Sequence, residues 1–241
     1  MTNKVTTGEF PMLKTHSGKH PLLALLLLVP AGSIGIAMAL YIAPGSLGQA
    51  VSLFCKVWLL ALPLAWFFWV DRGKLRISWP KGQELLTGTI LGLLMFGIIL
   101  GAYWLFGQHW IDQTDLRTKA QEVGITSAYI YLLGAMYWTL INAFLEEYIW
   151  RWFVWSKCQI LIPGLGSVLL CALLFTLHHI IALTFYTQDW LVVILGSLGV
   201  FMAGAVWSWC YLTYRSIWSG YVSHILADLA IAFVGWQLLF A

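Results

Sequence analysis

Seven ionisable side chains stand inside stretches that are otherwise apolar: Glu146, Glu147 and Arg151 in FLEEYIWR, His178 and His179 in FTLHHI, and His224 and Asp228 in HILAD. Such groups are costly in an apolar medium and usually mark function, so their spacing carries information. Glu147 and Arg151 are one helical turn apart with the acid first, the favoured order for an ion pair. Glu146 is rotated about 100° from its neighbour and is left without that partner. His224 and Asp228 share one helix face, as do Phe175 and His179, while His178 points elsewhere. Lys56 stands near a helix end, where its amine can snorkel to the interface, and is set aside.

A carboxylate among apolar helices can serve as a general base toward a water molecule. Imidazoles beside it can share the proton or stabilise a developing oxyanion. Glu146, His179 and His224 are also a ligand set that suits zinc, which would activate the same water. Both routes lead to hydrolysis.

The elements that must position these groups are membrane helices. Of the 241 residues, 61% are hydrophobic and only 10% charged, and the mean hydropathy is +0.82. A soluble domain carries roughly a quarter charged residues. Apolar runs at 21–43, 51–70, 85–106, 126–155, 167–187, 190–214 and 216–241 each reach the roughly 20 residues that span a bilayer, and no alternating ten-residue pattern suggests a barrel. The expected fold is all-α, a polytopic transmembrane bundle of about seven helices. It comprises a polar N-terminal segment, 1–20, and one membrane domain, 21–241, with a motif-bearing core at about 126–241. The first run, with Ala37-Met38-Ala39 near its end, is longer than the apolar core of a cleaved signal and is read as a retained helix.

Lysine and arginine set the expected orientation. Lys4, Lys14, Lys19, Arg72, Lys74, Arg76, Lys81, Arg151, Lys157 and Arg215 fall on one set of alternate loops, against Lys56, Arg117 and Lys119 on the other. The bias puts the N-terminus in the cytoplasm. The loops at 71–84 and 107–125 are too short to fold independently. At 1.5 Å per residue, Glu146 lies roughly 13 Å from a helix end at Trp155 and His179 about 18 Å from one at Ser167. His224 and Asp228 lie about 12 and 18 Å into the last helix, so all four can meet in the cytoplasmic half of the bilayer.

Three patterns in order, EEYIWR, FTLHH and HILAD, resemble the EExxxR, FxxxH and HxxxN/D motifs of the CAAX prenyl protease and bacteriocin-processing family of intramembrane proteases. The resemblance covers about 146–228, with a Gly-rich penultimate helix, GSLGVFMAGAVW; the first hundred residues show nothing diagnostic. It implies an intramembrane endopeptidase in which Glu146 is the catalytic base, His179 orients or shares the attacking water, and His224 and Asp228 line the oxyanion side. Glu147, Arg151, His178 and Phe175 would be supporting. Asp228 stands where prenyl-processing members generally have asparagine, which points away from prenylated substrates and toward a role in holding His224. The family is commonly labelled as metalloproteases, yet its better-understood members look like metal-independent glutamate proteases, so zinc, held by Glu146, His179 and His224, remains an alternative.

The expected partners are a peptide or membrane-protein substrate and the bilayer, in a bacterial cytoplasmic membrane; the net charge of +3 needs no nucleic acid to explain it. Other classes compete: a proton or ion carrier using the buried Glu/His cluster, a haem protein with His179 and His224 as axial ligands, and a non-catalytic immunity-type protein. Trp150, Trp152, Trp155, Trp207, Trp209 and Trp218 cluster toward helix ends and read as an aromatic belt. Gly196, Gly199, Ala203 and Gly204 read as small residues that permit close helix packing. Cys55, Cys158, Cys171 and Cys210 form no CxxC pair and fit neither a disulfide framework nor a thiolate metal site.

Overall fold

The computed structural model describes residues 18–74, 79–187 and 189–241. Lys4, Lys14, Arg76 and most of the expected N-terminal segment lie outside them. Among the described residues, seven helices are long and apolar enough to cross a membrane: α1 (Pro21–Ile42), α2 (Ser46–Val70), α3 (Gly82–Trp110), α5 (Ala128–Leu161), α6 (Leu165–Tyr186), α7 (Trp190–Tyr214) and α8 (Trp218–Phe240). No strand occurs among the described residues. The outward faces are rows of exposed Leu, Ile, Phe and Trp, as a lipid-facing surface requires, and the chain is an integral membrane protein.

Local chemistry sets the helix ends. Pro21 opens α1, where its missing N–H costs nothing. Gly164, at φ 70°, makes the tight turn from α5 into α6. Asp189 Oδ1 accepts from the backbone N–H groups of Leu191 and Val192, capping α7. The segment 107–125, read from sequence as a loop, holds a further short helix, α4 (Gln113–Glu122). Asp112 caps it by accepting from Thr114 and Asp115. Its Arg117 donates Nε–H to the Leu238 carbonyl at 3.2 Å, satisfying one of the acceptors that the last turn of α8 leaves free.

Close approach of α3 and α8 depends on Gly88 and Gly92. A Cβ at Gly88 would stand 2.6 Å from the Ser219 carbonyl oxygen, and one at Gly92 2.6 Å from Leu226. This GxxxG spacing lies in the part of the chain that looked undiagnostic, yet it fixes the helix that carries His224. Gly204 of α7 does the same against α6, where an added Cβ would meet Phe175 at 3.1 Å and Ala172; Gly196 faces Leu183, whereas Gly199 meets nothing within 4 Å. From α1, Gly32 lies against His178 and Gly35 against Cys55 of α2.

Helix α5 is not uniformly α-helical. Its turns at Tyr137–Asn142 and Glu147–Val154 are widened to the i→i+5 pattern, a feature that recurs at functional sites. The helix also continues to Leu161. Glu146 is therefore fifteen residues, about 22 Å along the helix, from that end and nearer mid-span than the expected 13 Å.

Two sequence expectations are corrected by burial. Trp150, Trp155 and Trp207 are 3%, 1% and 4% exposed, so they belong to the core and not to an interfacial belt; Trp209, 54% exposed, does face outward. Arg151 and Lys157, counted as loop cations, are buried inside α5. Lys157 pairs with Asp71 at the end of α2. All four cysteines are buried free thiols.

Candidate active site

The seven singled-out residues come together where α5, α6 and α8 meet. Glu147 is fully buried, and its Oε1 lies 3.6 Å from Arg151 Nε, the pair read from the spacing. The same oxygen accepts a hydrogen bond from His224 Nδ1 at 3.1 Å; a carboxylate can only accept, so the imidazole nitrogen donates. The Arg151 side chain makes no hydrogen bond among the described residues. Its guanidinium is covered by the rings of Phe175, at 4.6 Å, and Trp207, at 5.1 Å, contacts that gain strength when desolvated.

His224 is held on three sides. Its ring stacks on Trp207 with centroids 4.0 Å apart and planes 18° apart. With Nδ1 committed to Glu147, its Nε2 faces Glu146 Oε2 at 3.6 Å and Asp228 Oδ1 at 3.8 Å. Asp228 is thus near His224 but beyond hydrogen-bond reach, and the orienting bond that sequence assigned to it is made by Glu147. Both acids reach His224 because the widened turn at Glu147 reduces the rotation between successive residues below that of an α-helix.

The remaining histidines approach from α6. His179 Nδ1 donates to the Phe175 carbonyl at 3.0 Å, which leaves the lone pair of neutral imidazole on Nε2. His178 stacks flat on Trp150, at 5.2 Å and 7°. Phe175, 1% exposed, touches His179 with centroids 4.5 Å apart and is the common floor under the basic residues.

Glu146, His178 and His179 each bring a ligand atom within 4.8 Å of the others. The zinc set read from sequence contained His224 in place of His178. Two imidazoles and a carboxylate suit zinc, and the bond from His179 Nδ1 to a carbonyl is the kind that orients a metal-binding ring. The residues present therefore fit such an ion.

Three contributors escaped the sequence reading. Asn142 donates Nδ2–H to Glu146 Oε1 at 2.9 Å; its signal was present, a lone amide one turn before Glu146 in an apolar run. Trp207 donates Nε1–H to Ser223 Oγ at 3.1 Å and so fixes the ring under His224, which nothing local to its sequence foretold. Gly220 abuts Glu147, and a Cβ there would collide with the Glu147 Oε2.

Among known proteins, the family model described as type II CAAX prenyl endopeptidase Rce1-like matches residues 128–230. Over that segment the chain is similar to the CAAX prenyl protease family. The match spans α5 to most of α8, the helices that carry the clustered residues, and supports a CAAX-protease-type peptidase in a membrane setting. No curated protein and no solved structure matches the chain.

Proposed function

We propose that the protein is an intramembrane endopeptidase in which Glu146 activates a water molecule. The observation that carries this is a difference between neighbours: the Glu146 side chain is 16% exposed and that of Glu147 is 0%. Glu147 is committed to Arg151 and His224, so of the two glutamates only Glu146 can meet a substrate and water.

Glu146 takes a proton from water as the oxygen attacks the peptide carbonyl. His179, with Nε2 free, accepts from or orients that water. Negative charge then gathers on the carbonyl oxygen, and His224 is placed to stabilise it with an Nε2–H when both ring nitrogens are protonated. Collapse of the tetrahedral intermediate breaks the C–N bond, and the proton held by Glu146 passes to the departing amine. Asp228, 19% exposed beside His224, lines the same side. Were zinc held by Glu146, His178 and His179, it would supply an acidified water. The reading also takes the site to open toward the cytoplasm of a bacterial cell; Lys19, Arg72, Lys74, Lys81 and Arg215, which stand on one set of alternate connections between the spans, support that orientation.

The test is a quenched peptide library assayed with detergent-purified wild type and Glu146→Gln, with and without a strong chelator, alongside metal analysis. Loss of at least about 100-fold in the variant, the scale of general-base catalysis, is expected. Unchanged cleavage by Glu146→Gln would overturn the proposal, and cleavage lost to chelation and restored by zinc would replace the metal-free form of it.

A further inference from the structure

The geometry points to Asn142 as the positioning residue for Glu146, a role that rests on the peptidase reading above. Asn142 closes the first widened turn of α5, and its side-chain amide donates to Glu146 Oε1 at 2.9 Å. Around it Trp138, Leu140, Ile141 and Phe144 are exposed on the apolar surface, whereas Thr139 and Ala143 are buried. An amide is therefore kept where an apolar residue would be cheaper, and it is spent on one acceptor.

Three carboxylates crowd His224, and they differ in what holds them. Glu147 is fixed by Arg151 and by His224 itself. Asp228 Oδ2 has no hydrogen-bond partner among the described residues. Glu146 has a neutral donor on Oε1 while its Oε2 stands 3.6 Å from His224 Nε2. Without the amide, the Glu146 carboxylate would be free to rotate onto the imidazoles on its other side. With it, one oxygen is tied and the plane of the group is set, so the second oxygen keeps a fixed bearing on the attacking water of the proposed reaction. A donor on the neighbouring turn achieves this without adding a charge that would compete with the reaction.

Two measurements on the full-length protein test the assignment. The first is labelling of Glu146 by dicyclohexylcarbodiimide, a hydrophobic carboxyl reagent, followed by mass spectrometry; it needs no substrate. Asn142→Ala is expected to label several-fold faster than wild type, and Asn142→Ser, which retains a short donor, to fall between them. The second is hydrolysis of the peptide library, where Asn142→Ala is expected to lower kcat by about tenfold to a hundredfold with KM within about twofold. Labelling at the wild-type rate overturns the assignment, as does wild-type kcat in a protein that cleaves. A change in labelling with no cleavage by any protein, wild type included, leaves Asn142 in its role and removes the peptidase reading instead. If Asn142→Ala does not fold, the labelling rate of Asn142→Ser decides.

Discussion

Glu147 of α5 and His224 of α8, 77 positions apart, share a buried hydrogen bond of 3.1 Å, and the same carboxylate oxygen faces Arg151. This makes Glu147 the structural member of the acid pair and leaves Glu146 to the role proposed for it. Removing one partner of a buried ion pair strands the other charge, at about 3–5 kcal/mol. Glu147→Leu and Arg151→Leu are each expected to lower unfolding free energy by that amount in detergent, while Glu146→Gln stays close to wild type. A Glu146→Gln protein as unstable as Glu147→Leu would reverse the assignment.

Gly220 leaves the space that the Glu147 carboxylate fills. Gly220→Ala is expected to push that carboxylate off His224 and cut hydrolysis by at least about tenfold, the cost of an ångström-scale misplacement. Full activity in Gly220→Ala would show that the carboxylate has somewhere else to go.

Gly88 and Gly92 seat α3 on α8, whereas an added Cβ at Gly97 meets nothing within 4 Å. Overpacking a helix contact costs about 1–3 kcal/mol. Thermal melts of Gly88→Leu and Gly92→Leu should show that loss and Gly97→Leu should not; three equal melts would mean that the α3–α8 seam does not hold the bundle together.

Asp71 and Lys157 form a second buried pair, between the ends of α2 and α5. Asp71→Leu alone should destabilise by about 3–5 kcal/mol, and the double substitution Asp71→Leu with Lys157→Met should recover most of it, because apolar replacements of similar volume strand no charge. A double variant no better than the single one would argue against a simple pair.

Zinc binding discriminates the two ligand sets. Calorimetric titration of metal-free protein is expected to show a larger loss of affinity in His178→Ala than in His224→Ala, since His178 lies with Glu146 and His179 while His224 is engaged by Glu147. The opposite ranking would restore His224 as the ligand.

The helices were legible in the sequence because twenty apolar residues in a row have few other fates, and all seven runs became spans. The convergence of Glu146, His179 and His224 was legible because an unpaired ionisable group in such a run has few structural reasons to be there. What stayed hidden depends on pairs of helices. Trp207 reads like any interfacial tryptophan until α8 brings His224 beneath it, and Gly88 and Gly92 read as ordinary small residues until Ser219 and Leu226 arrive. The helical wheel also assumed a constant pitch, and the widened turns of α5 broke that assumption at the acids themselves.

Those widened turns give α5 a frame. Each carries one residue more per turn than an α-helical turn, so losing a single residue between Tyr137 and Asn142 would tighten that turn to the α pattern and leave the chain beyond it in register. Glu146 and Glu147 would keep their places, the inner carboxylate still against His224 and Gly220. The ordinary α-helical stretch Ala143–Glu146 has no such slack. A residue lost there would turn Tyr148 into the slot of Glu147, and a phenol cannot enter a space that a carboxylate touching a glycine already fills. The widened turn is thus where α5 can change length, and the stretch just before the acids is where it cannot.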